Sequence, residues 1–172
     1  MAVIGIMSAM HEELAAVLVA MPDEQRVTVA GRYVWVSHWQ GHSVVAVLSR
    51  IGKVAAATTA TVLLERFEVD TLVFTGVAGG LGCGVRVGDV VVADGFVQHD
   101  MDASPLFPRH EVPLYGRARF EADADLGRQL AQASEQVLAN AALHLGAGTL
   151  AEFQLHGPRV HQGLILSGDR FV

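Results

Sequence analysis

The sequence has little of what several protein classes depend on. Cys83 is the single cysteine among 172 residues, so the chain forms neither an intrachain disulfide nor a zinc site built from several thiolates. No apolar run is long enough to cross a bilayer, and the N-terminus has no basic segment ahead of an apolar one. We therefore expect a cytoplasmic protein in a reducing compartment, with no membrane partner.

Basic residues are also scarce. Lys and Arg number 12 against 18 Asp and Glu, which gives a net charge of -6 at pH 7. Without a basic cluster, the chain is not expected to bind a nucleic-acid backbone. Hydrophobic residues make up 51% of the chain and charged residues only 17%, which excludes a disordered protein. The length predicts one domain, which we place at residues 1–172.

Short apolar strands alternate with amphipathic helices. Val3–Met7 is predicted to be a buried strand, and apolar side chains at 14, 17, 18 and 21 have the spacing of one helix face. Ser8 is the predicted N-cap of that helix. Segments 27–30, 33–38 and 43–49 then predict an antiparallel meander.

The rest of the chain continues the alternation. A helix is predicted after Gly52, to about Phe67, and strands are predicted at 71–75, 85–97 and 163–167. One helix is predicted to carry apolar side chains from Leu126 to Leu145 on one face, after an irregular segment at 98–121. The pattern indicates an α/β fold, a three-layer sandwich whose central, mostly parallel mixed sheet is flanked by helices.

Glu12 and Glu13 begin the first helix, where carboxylates complement the helix dipole. They also follow the first strand, and ligands bind at the carboxyl ends of strands in such folds. A helix N-terminus favours the ionised carboxylate that a water-activating base requires. Adjacent helical residues point about 100° apart, so only one of the two can face a site.

Five glycines between 76 and 84 follow the strand at 71–75. No Gly-Lys-Ser/Thr ends the run and no dinucleotide-binding fingerprint fits it, so it predicts either a tight turn or a backbone cradle for a flat ligand. His99, Asp100 and Asp102 fit no standard zinc or calcium spacing, and loop structure is favoured over a metal site there.

Five segments together resemble one family. They are 4–13 (IGIMSAMHEE), 49–56 (SRIGKVAA), 75–81 (TGVAGGL), 87–92 (VGDVVV) and 167–171 (SGDRF). In this order and at about this spacing they are similar to the 5′-methylthioadenosine/S-adenosylhomocysteine nucleosidases, which have the nucleoside phosphorylase-like fold. The resemblance implies hydrolysis of the bond between adenine and a 5′-thio-substituted ribose, without metal or organic cofactor, in a homodimer.

The resemblance also implies site residues. Glu13 matches the glutamate that deprotonates the attacking water at C1′ of an oxocarbenium-like transition state. The implied substrate-binding residues are Ala9 and Met10 beside the ribose, Ile51 in the 5′-alkylthio pocket, Val77, Ala78 and Gly79 along the ribose and purine, Phe171 stacked on adenine, Val172 at the adenine edge, and Phe107 reaching the alkylthio pocket of a neighbouring subunit.

The chain departs from the family pattern in two places. The family often has serine at the position of Val77. The family also continues beyond the position of Val172, with a ribose-binding glutamate and methionine and then a Ser-Asp whose aspartate protonates adenine N7. The resemblance therefore implies an N-terminal portion that lacks this aspartate, and we expect this chain, expressed alone, not to be a competent nucleosidase.

Three other functions stay open. A related nucleosidase could act on another purine nucleoside, such as futalosine. A phosphorylase of the same fold is less favoured, because a carboxylate at Glu13 would repel phosphate. A non-catalytic nucleoside-binding module fits a chain without the aspartate, and adenine release from methylthioadenosine separates it from an enzyme.

Overall fold

The computed structural model describes residues 2–170, and the chain divides into two compact units. Unit 1 runs to Ala78 and unit 2 begins at Gly79. Unit 1 contains β1 (Val3–Ser8), α1 (His11–Ala20), β2 (Gln25–Val29), β3 (Arg32–Trp39), β4 (His42–Leu48), α2 (Lys53–Phe67) and β5 (Thr71–Phe74). Unit 2 contains β6 (Val90–Gln98), β7 (Arg119–Glu121), α3 (Ala124–Ala139), α4 (Ala141–Glu152) and β8 (Val160–Ser167).

Unit 1 is built on a mixed five-stranded sheet with the order β2-β3-β4-β1-β5. The strands β2, β3 and β4 form the predicted antiparallel meander, and β1 pairs in parallel with both β4 and β5. Because β1 lies between two parallel neighbours, its carboxyl end at Ser8 lies beside the ends of β4 and β5. This edge of the sheet is the place where such folds bind ligands.

The two faces of this sheet bury different helices. Val45 and Val47 of β4 pack with Leu63 of α2, whereas Val44 and Ala46 pack with Leu14 of α1. Successive strand residues point to opposite faces, so β4 contributes to both clusters and is buried along most of its length. Unit 1 therefore has three layers, helix, sheet and helix.

The predicted face of α1 is the face that packs. Leu14 is fully buried and Met21, just after the helix, is nearly so, while Val17 and Leu18 pack against the same cluster. Truncating a fully buried leucine such as Leu14 to alanine costs about 2–5 kcal/mol. The packing of α1 thus fixes the residues at its N-terminus relative to the sheet.

Unit 2 has a three-stranded sheet with the order β7-β6-β8, in which β6 is antiparallel to β7 and parallel to β8. The segment between β6 and β7 is irregular, as predicted for most of 98–121. Helix α3 packs against both β6 and β8. Both units are therefore α/β with helices beside mixed sheets, which confirms the predicted fold class; the single domain at 1–172 stays a prediction.

The long helix predicted after residue 121 is wrong in one respect. The chain forms two helices, because Asn140 leaves helical geometry at φ −118° and ψ 32°. Gly146 interrupts α4 with a φ of 76°. Of the predicted apolar face, Ala141 is buried while Val137 and Leu145 are more than 40% exposed. An apolar stripe that continues across a break does not stay on one face.

Candidate active site

Glu13 is the third residue of α1, and its carboxylate turns back towards the end of β1. One oxygen, Oε2, accepts hydrogen bonds from the backbone N–H groups of Ala9 and Met10, both at 2.9 Å. Met10 is the N-cap of the helix, so the hydrogen bond from its N–H to the Glu13 side chain is one of the two bonds of a capping box. The predicted N-cap, Ser8, is wrong, because Ser8 is the last residue of β1.

The other carboxylate oxygen of Glu13 makes a contact that helix capping does not explain. Oε1 accepts a hydrogen bond of 2.9 Å from the backbone N–H of Val77, 64 residues away in sequence. Val77 lies in the glycine-containing segment that follows β5. This bond ties the start of α1 to the loop at the carboxyl end of a neighbouring strand.

Gly76 is required by this arrangement. A Cβ at Gly76 would lie 2.8 Å from Oε1 of Glu13, which is closer than Cβ atoms come to other atoms. The backbone φ of Gly76 is not in the left-handed region, so the space taken by Glu13 is the reason for glycine here. Further along the run, Gly84 does need glycine for its φ of 87°. The glycine run thus combines one close approach with one tight turn.

The structure separates the two adjacent glutamates. Glu13 is half-buried and accepts three backbone hydrogen bonds, whereas Glu12 is exposed. A carboxylate offers about four acceptor directions, so three bonds leave one on Oε1. Glu13 can therefore be held in one orientation and still accept a hydrogen bond from a water molecule.

The loop after β4 is held beside the end of β1 by buried hydroxyl groups. Ser49 donates its backbone N–H to the carbonyl of Ser8 at 2.8 Å, and its hydroxyl lies 3.2 Å from the same carbonyl. Thr59 of α2 lies under this loop, with its hydroxyl 3.4 Å from the Ser49 carbonyl. These contacts fix the position of Ile51, which is 65% exposed and lines one cavity together with Ala9.

Unit 1 thus brings together most of the site residues that belong to it. Ala9, Met10 and Val77 bond the Glu13 carboxylate, and Ile51 shares a cavity with Ala9. Ala78 follows Val77 in the same exposed segment.

Unit 2 contains two more of the predicted site residues. Gly79 is exposed, and Phe107 is half-buried in the segment between β6 and β7, where its N–H bonds the Ala103 carbonyl. Phe171 and Val172 lie outside the described residues. The structure brings neither Gly79 nor Phe107 into a described contact with another predicted site residue.

Sequence reasoning missed a contact between the His99 loop and the end of β8. Asp100 accepts a 2.8 Å hydrogen bond from the backbone N–H of Asp169. A Cβ at Gly168 would collide with the ring of His99 and the carboxylate of Asp100, so glycine allows the close approach there. These contacts give Asp100 a structural role in holding the chain after Ser167.

Asp89 is a second carboxylate whose contacts sequence reasoning missed. It accepts backbone N–H bonds from Arg86 and Arg159 and lies 2.9 Å from Nε2 of His161. Its side chain is 5% exposed. The Arg159 N–H, then the His161 ring and the Arg86 N–H, lower the pKa of Asp89 to about 2. Asp102 also has a lowered pKa, because the hydroxyl and N–H of Ser104 bond its carboxylate.

Across residues 2–170, no helix combines the length and the apolar composition that crossing a bilayer requires. Within the same range, no three His, Cys, Asp or Glu side chains are grouped as ligands for one metal ion. The expectation of a metal-free reaction stays a prediction.

Comparison with known proteins identifies the family. The sequence model of the phosphorylase superfamily matches residues 3–172, nearly the whole chain. The chain belongs to the phosphorylase superfamily. Within this superfamily, it is 37% identical over 149 residues to the 5′-methylthioadenosine/S-adenosylhomocysteine nucleosidase of Oceanobacillus iheyensis. That match covers 86% of this chain and 63% of the relative, so the chain spans less than two thirds of that relative's length.

Solved structures of the superfamily show the same fold. The nucleosidase of Neisseria meningitidis in complex with methylthio-immucillin-A is 31% identical with a TM-score of 0.79, over 100% of this chain and 67% of that one. A futalosine hydrolase mutant of Helicobacter pylori is 28% identical with a TM-score of 0.80, over 100% of this chain and 70% of that one. The similarity to nucleosidases agrees with the resemblance seen in the five sequence segments.

Proposed function

We propose that the protein hydrolyses the N-glycosidic bond of 5′-methylthioadenosine, S-adenosylhomocysteine or both, releasing adenine and a 5-thio-substituted ribose. The observation that carries the proposal is the Glu13 carboxylate, held by three backbone N–H groups at the carboxyl ends of β1 and β5 with one acceptor direction left. The names of the similar proteins support the substrate class.

Glu13 is the general base in this proposal. Its carboxylate takes a proton from water as the oxygen of that water bonds to C1′ and the bond from C1′ to adenine N9 breaks. The departing adenine is protonated at N7. We assign that proton to no residue of this chain, and Asp169 is not proposed for it. A base held by N–H donors needs no reorganisation at the moment of reaction, which favours the transition state.

The substrate contacts proposed around Glu13 follow the family resemblance. Ala9 and Met10 lie along the ribose, Ile51 lines the 5′-alkylthio pocket, Val77, Ala78 and Gly79 follow the ribose and purine, and Phe171 and Val172 bind the adenine. Three of these residues are supported by direct contact with Glu13, namely Ala9, Met10 and Val77. Valine in place of the family's usual serine at 77 leaves the backbone N–H contact in place, since that contact needs no side chain.

We also propose that residues 1–172 work as one nucleoside phosphorylase-like domain in a cytoplasmic homodimer, with Phe107 reaching the alkylthio pocket of the neighbouring subunit. Exposed apolar side chains support an interface in this part of the chain. Leu106, Leu114 and Tyr115, in the segment that contains Phe107, are 84%, 92% and 65% exposed. Light scattering on the full natural protein should give a dimer at micromolar concentration; a monomer alone would contradict the proposal.

The experiment for the reaction is adenine release from methylthioadenosine by the full natural protein, with and without inorganic phosphate. We expect adenine and free methylthioribose at a rate that phosphate does not raise. A rate that depends on phosphate, with a ribose 1-phosphate product, would indicate a phosphorylase. Binding of the nucleoside without any release would indicate a binding module.

Similarity to the futalosine hydrolase structure favours one second candidate, hydrolysis of another purine nucleoside. The same Glu13 chemistry applies, because only the base and the 5′-substituent differ. Parallel assays with futalosine, methylthioadenosine and S-adenosylhomocysteine compare the candidates by kcat/KM. A kcat/KM for futalosine at least about tenfold above the other two would select the second candidate.

A further inference from the structure

A cavity of about 360 Å³ in unit 1 is lined both by proposed substrate contacts and by cationic side chains. Ala9 and Ile51 line it, and so do Arg32 and Arg50. The chain as a whole carries a net charge of -6, yet none of the described residues that line the cavity is Asp or Glu. Its two positive charges are therefore not neutralised by an acidic group in the wall.

Arg32 is held in the wall of the cavity by two backbone carbonyls. Its Nη1 donates to the carbonyl of Ala30 at 3.1 Å and its Nη2 to the carbonyl of Ala55 at 3.4 Å. Its Nε is buried and has no hydrogen-bond partner within the described part of the chain. Because Nε is buried, a ligand in the cavity does not reach it, and Arg32 contributes its positive charge to the wall.

Arg50 is held by the turn between β2 and β3. Its Nη2 donates to the carbonyl of Gly31 at 2.8 Å, which fixes the guanidinium beside the cavity. The backbone of Arg50 has a φ of 67°, where glycine would be less strained. The guanidinium has five N–H donors in a fixed plane, a geometry that matches a carboxylate.

The rest of the wall suits a short apolar linker. Tyr33 and Trp35 of β3 and Leu48 of β4 also line the cavity. The same cavity therefore offers apolar side chains and guanidinium groups to one ligand. Methylene groups that end in a carboxylate match both.

We propose that this cavity binds a carboxylate at the end of the nucleoside's 5′-substituent, with Arg50 as the hydrogen-bond donor and the positive charge of Arg32 beside it. S-adenosylhomocysteine carries such a carboxylate on its homocysteine tail, and methylthioadenosine does not. The proposal rests on the proposed function and deepens it, because it makes Arg50 a specificity-determining residue for the carboxylate-bearing substrate.

The test is a cycle between enzyme and ligand in the full natural protein. One change is Arg50→Gln. The other replaces S-adenosylhomocysteine by its decarboxylated counterpart, 5′-S-(3-aminopropyl)-5′-thioadenosine. We expect the native enzyme to favour the carboxylate by about tenfold or more in kcat/KM, the size of a charge-assisted hydrogen bond. Arg50→Gln should remove most of that preference.

Control variants keep the result specific. Arg50→Lys keeps the positive charge but not the planar pair of donors, and it should retain part of the preference. Arg66→Gln changes an exposed arginine in the last turn of α2, and the preference should stay as in the native enzyme. Should Arg50→Gln fail to fold, the preference of the native enzyme for the carboxylate, with its partial retention in Arg50→Lys, still decides the case.

Equal kcat/KM values for the two ligands in the native enzyme would overturn the inference while leaving the nucleosidase proposal intact. A preference of the same size in native and Arg50→Gln proteins would also overturn it. Failure to release adenine from any of these nucleosides would contradict the proposed function instead. In that event calorimetric binding of the same two ligands tests the cavity directly, and equal or absent binding overturns the inference.

Discussion

Glu13 in unit 1 and Asp89 in unit 2 accept the same number of hydrogen bonds but lie at opposite ends of their strands. The N–H groups that bond Glu13 follow the ends of β1 and β5, whereas Asp89 directly precedes β6 and bonds the N–H that precedes β8. Ligands bind at the carboxyl ends of parallel strands in α/β folds. Position alone therefore favours Glu13 as the functional group.

Exposure separates the two carboxylates further. Each uses three acceptor directions, but Glu13 is half-buried while the side chain of Asp89 is 5% exposed. Glu13 therefore leaves more of its carboxylate open to a water molecule than Asp89 does. We expect similar hydrogen bonding to serve chemistry at Glu13 and stability at Asp89.

The largest effect is expected from Glu13→Gln in the full natural protein. The amide cannot take a proton from water, so adenine release should fall at least about 10²-fold, the usual contribution of a general base. Binding of a non-hydrolysable nucleoside analogue should change little. Glu12→Gln is the matched control, since Glu12 is exposed on the same turn, and it should keep turnover near the native value. Native turnover in Glu13→Gln would remove Glu13 from the mechanism.

Gly76→Ala should produce the next largest loss. The new Cβ would lie 2.8 Å from Oε1 of Glu13, so the carboxylate must shift away from the Val77 N–H. A misplaced base should lower kcat about tenfold or more with a smaller change in the unfolding temperature. Gly148→Ala in α4 is the control, because a Cβ there meets nothing within 4 Å. Equal kcat in both variants would show that the contact with Gly76 does not matter.

Asp89→Asn should act on stability rather than on turnover. One of the N–H donors around Asp89 would then face an amide NH2, so the unfolding temperature should drop by several degrees while turnover per folded molecule stays close to native. Asp125→Asn, in an exposed pair with Arg128, should leave the unfolding temperature nearly unchanged. Loss of turnover without loss of stability would reverse the assignment of Asp89.

The stability that Asp89 provides should also depend on pH. A carboxylate whose pKa lies lower in the folded than in the unfolded protein stabilises the fold above the unfolded value, and the stabilisation is lost as pH falls towards the folded value. The pKa of Asp89 is about 2 against an ordinary 3.8. The stability difference between native protein and Asp89→Asn, measured by urea unfolding, should be constant above about pH 5 and shrink below about pH 4. A difference that grows on acidification would contradict the hydrogen-bond account.

The smallest effect is expected at a third carboxylate, whose contacts are all local. Asp123 caps α3 by accepting N–H bonds from Asp125 and Leu126 at 2.9 and 2.8 Å. Asp123→Ala should cost about 1 kcal/mol of unfolding free energy, and Asp123→Ser should restore most of it. Turnover should not change in either variant, as expected for a cap without a contact distant in sequence.

Local patterns in the sequence predicted the elements of unit 1 well. The spacing of Leu14, Val17, Leu18 and Met21 predicted α1, and the glycine turns predicted the meander. The patterns predicted the structure less well where a helix ends through a change in backbone geometry. At Asn140 the helix ends, although the stripe of apolar residues continues past that residue. A cap was misplaced at Ser8 because a hydroxyl before a helix is common, while here the strand extends to that residue.

Contacts between distant residues could not be predicted from the pattern. The bond between Glu13 and Val77 spans 64 residues, and that between Asp89 and His161 spans 72. The reason for glycine at Gly76, which is the space of the Glu13 carboxylate, becomes clear only when the two segments are seen together. Family resemblance singled out Glu13, whereas the cavity with Arg32 and Arg50 had no sequence signal.

The most direct test of the central claim measures two properties of two variants side by side. Turnover of methylthioadenosine per folded molecule and the unfolding temperature are determined for Glu13→Gln and Asp89→Asn in the full natural protein. We expect Glu13→Gln to lose turnover at least about 10²-fold with a small change in unfolding temperature. We expect Asp89→Asn to have a lower unfolding temperature and a turnover near the native value. A loss of turnover in both variants, or a lower unfolding temperature in both, would contradict the distinction between the two carboxylates.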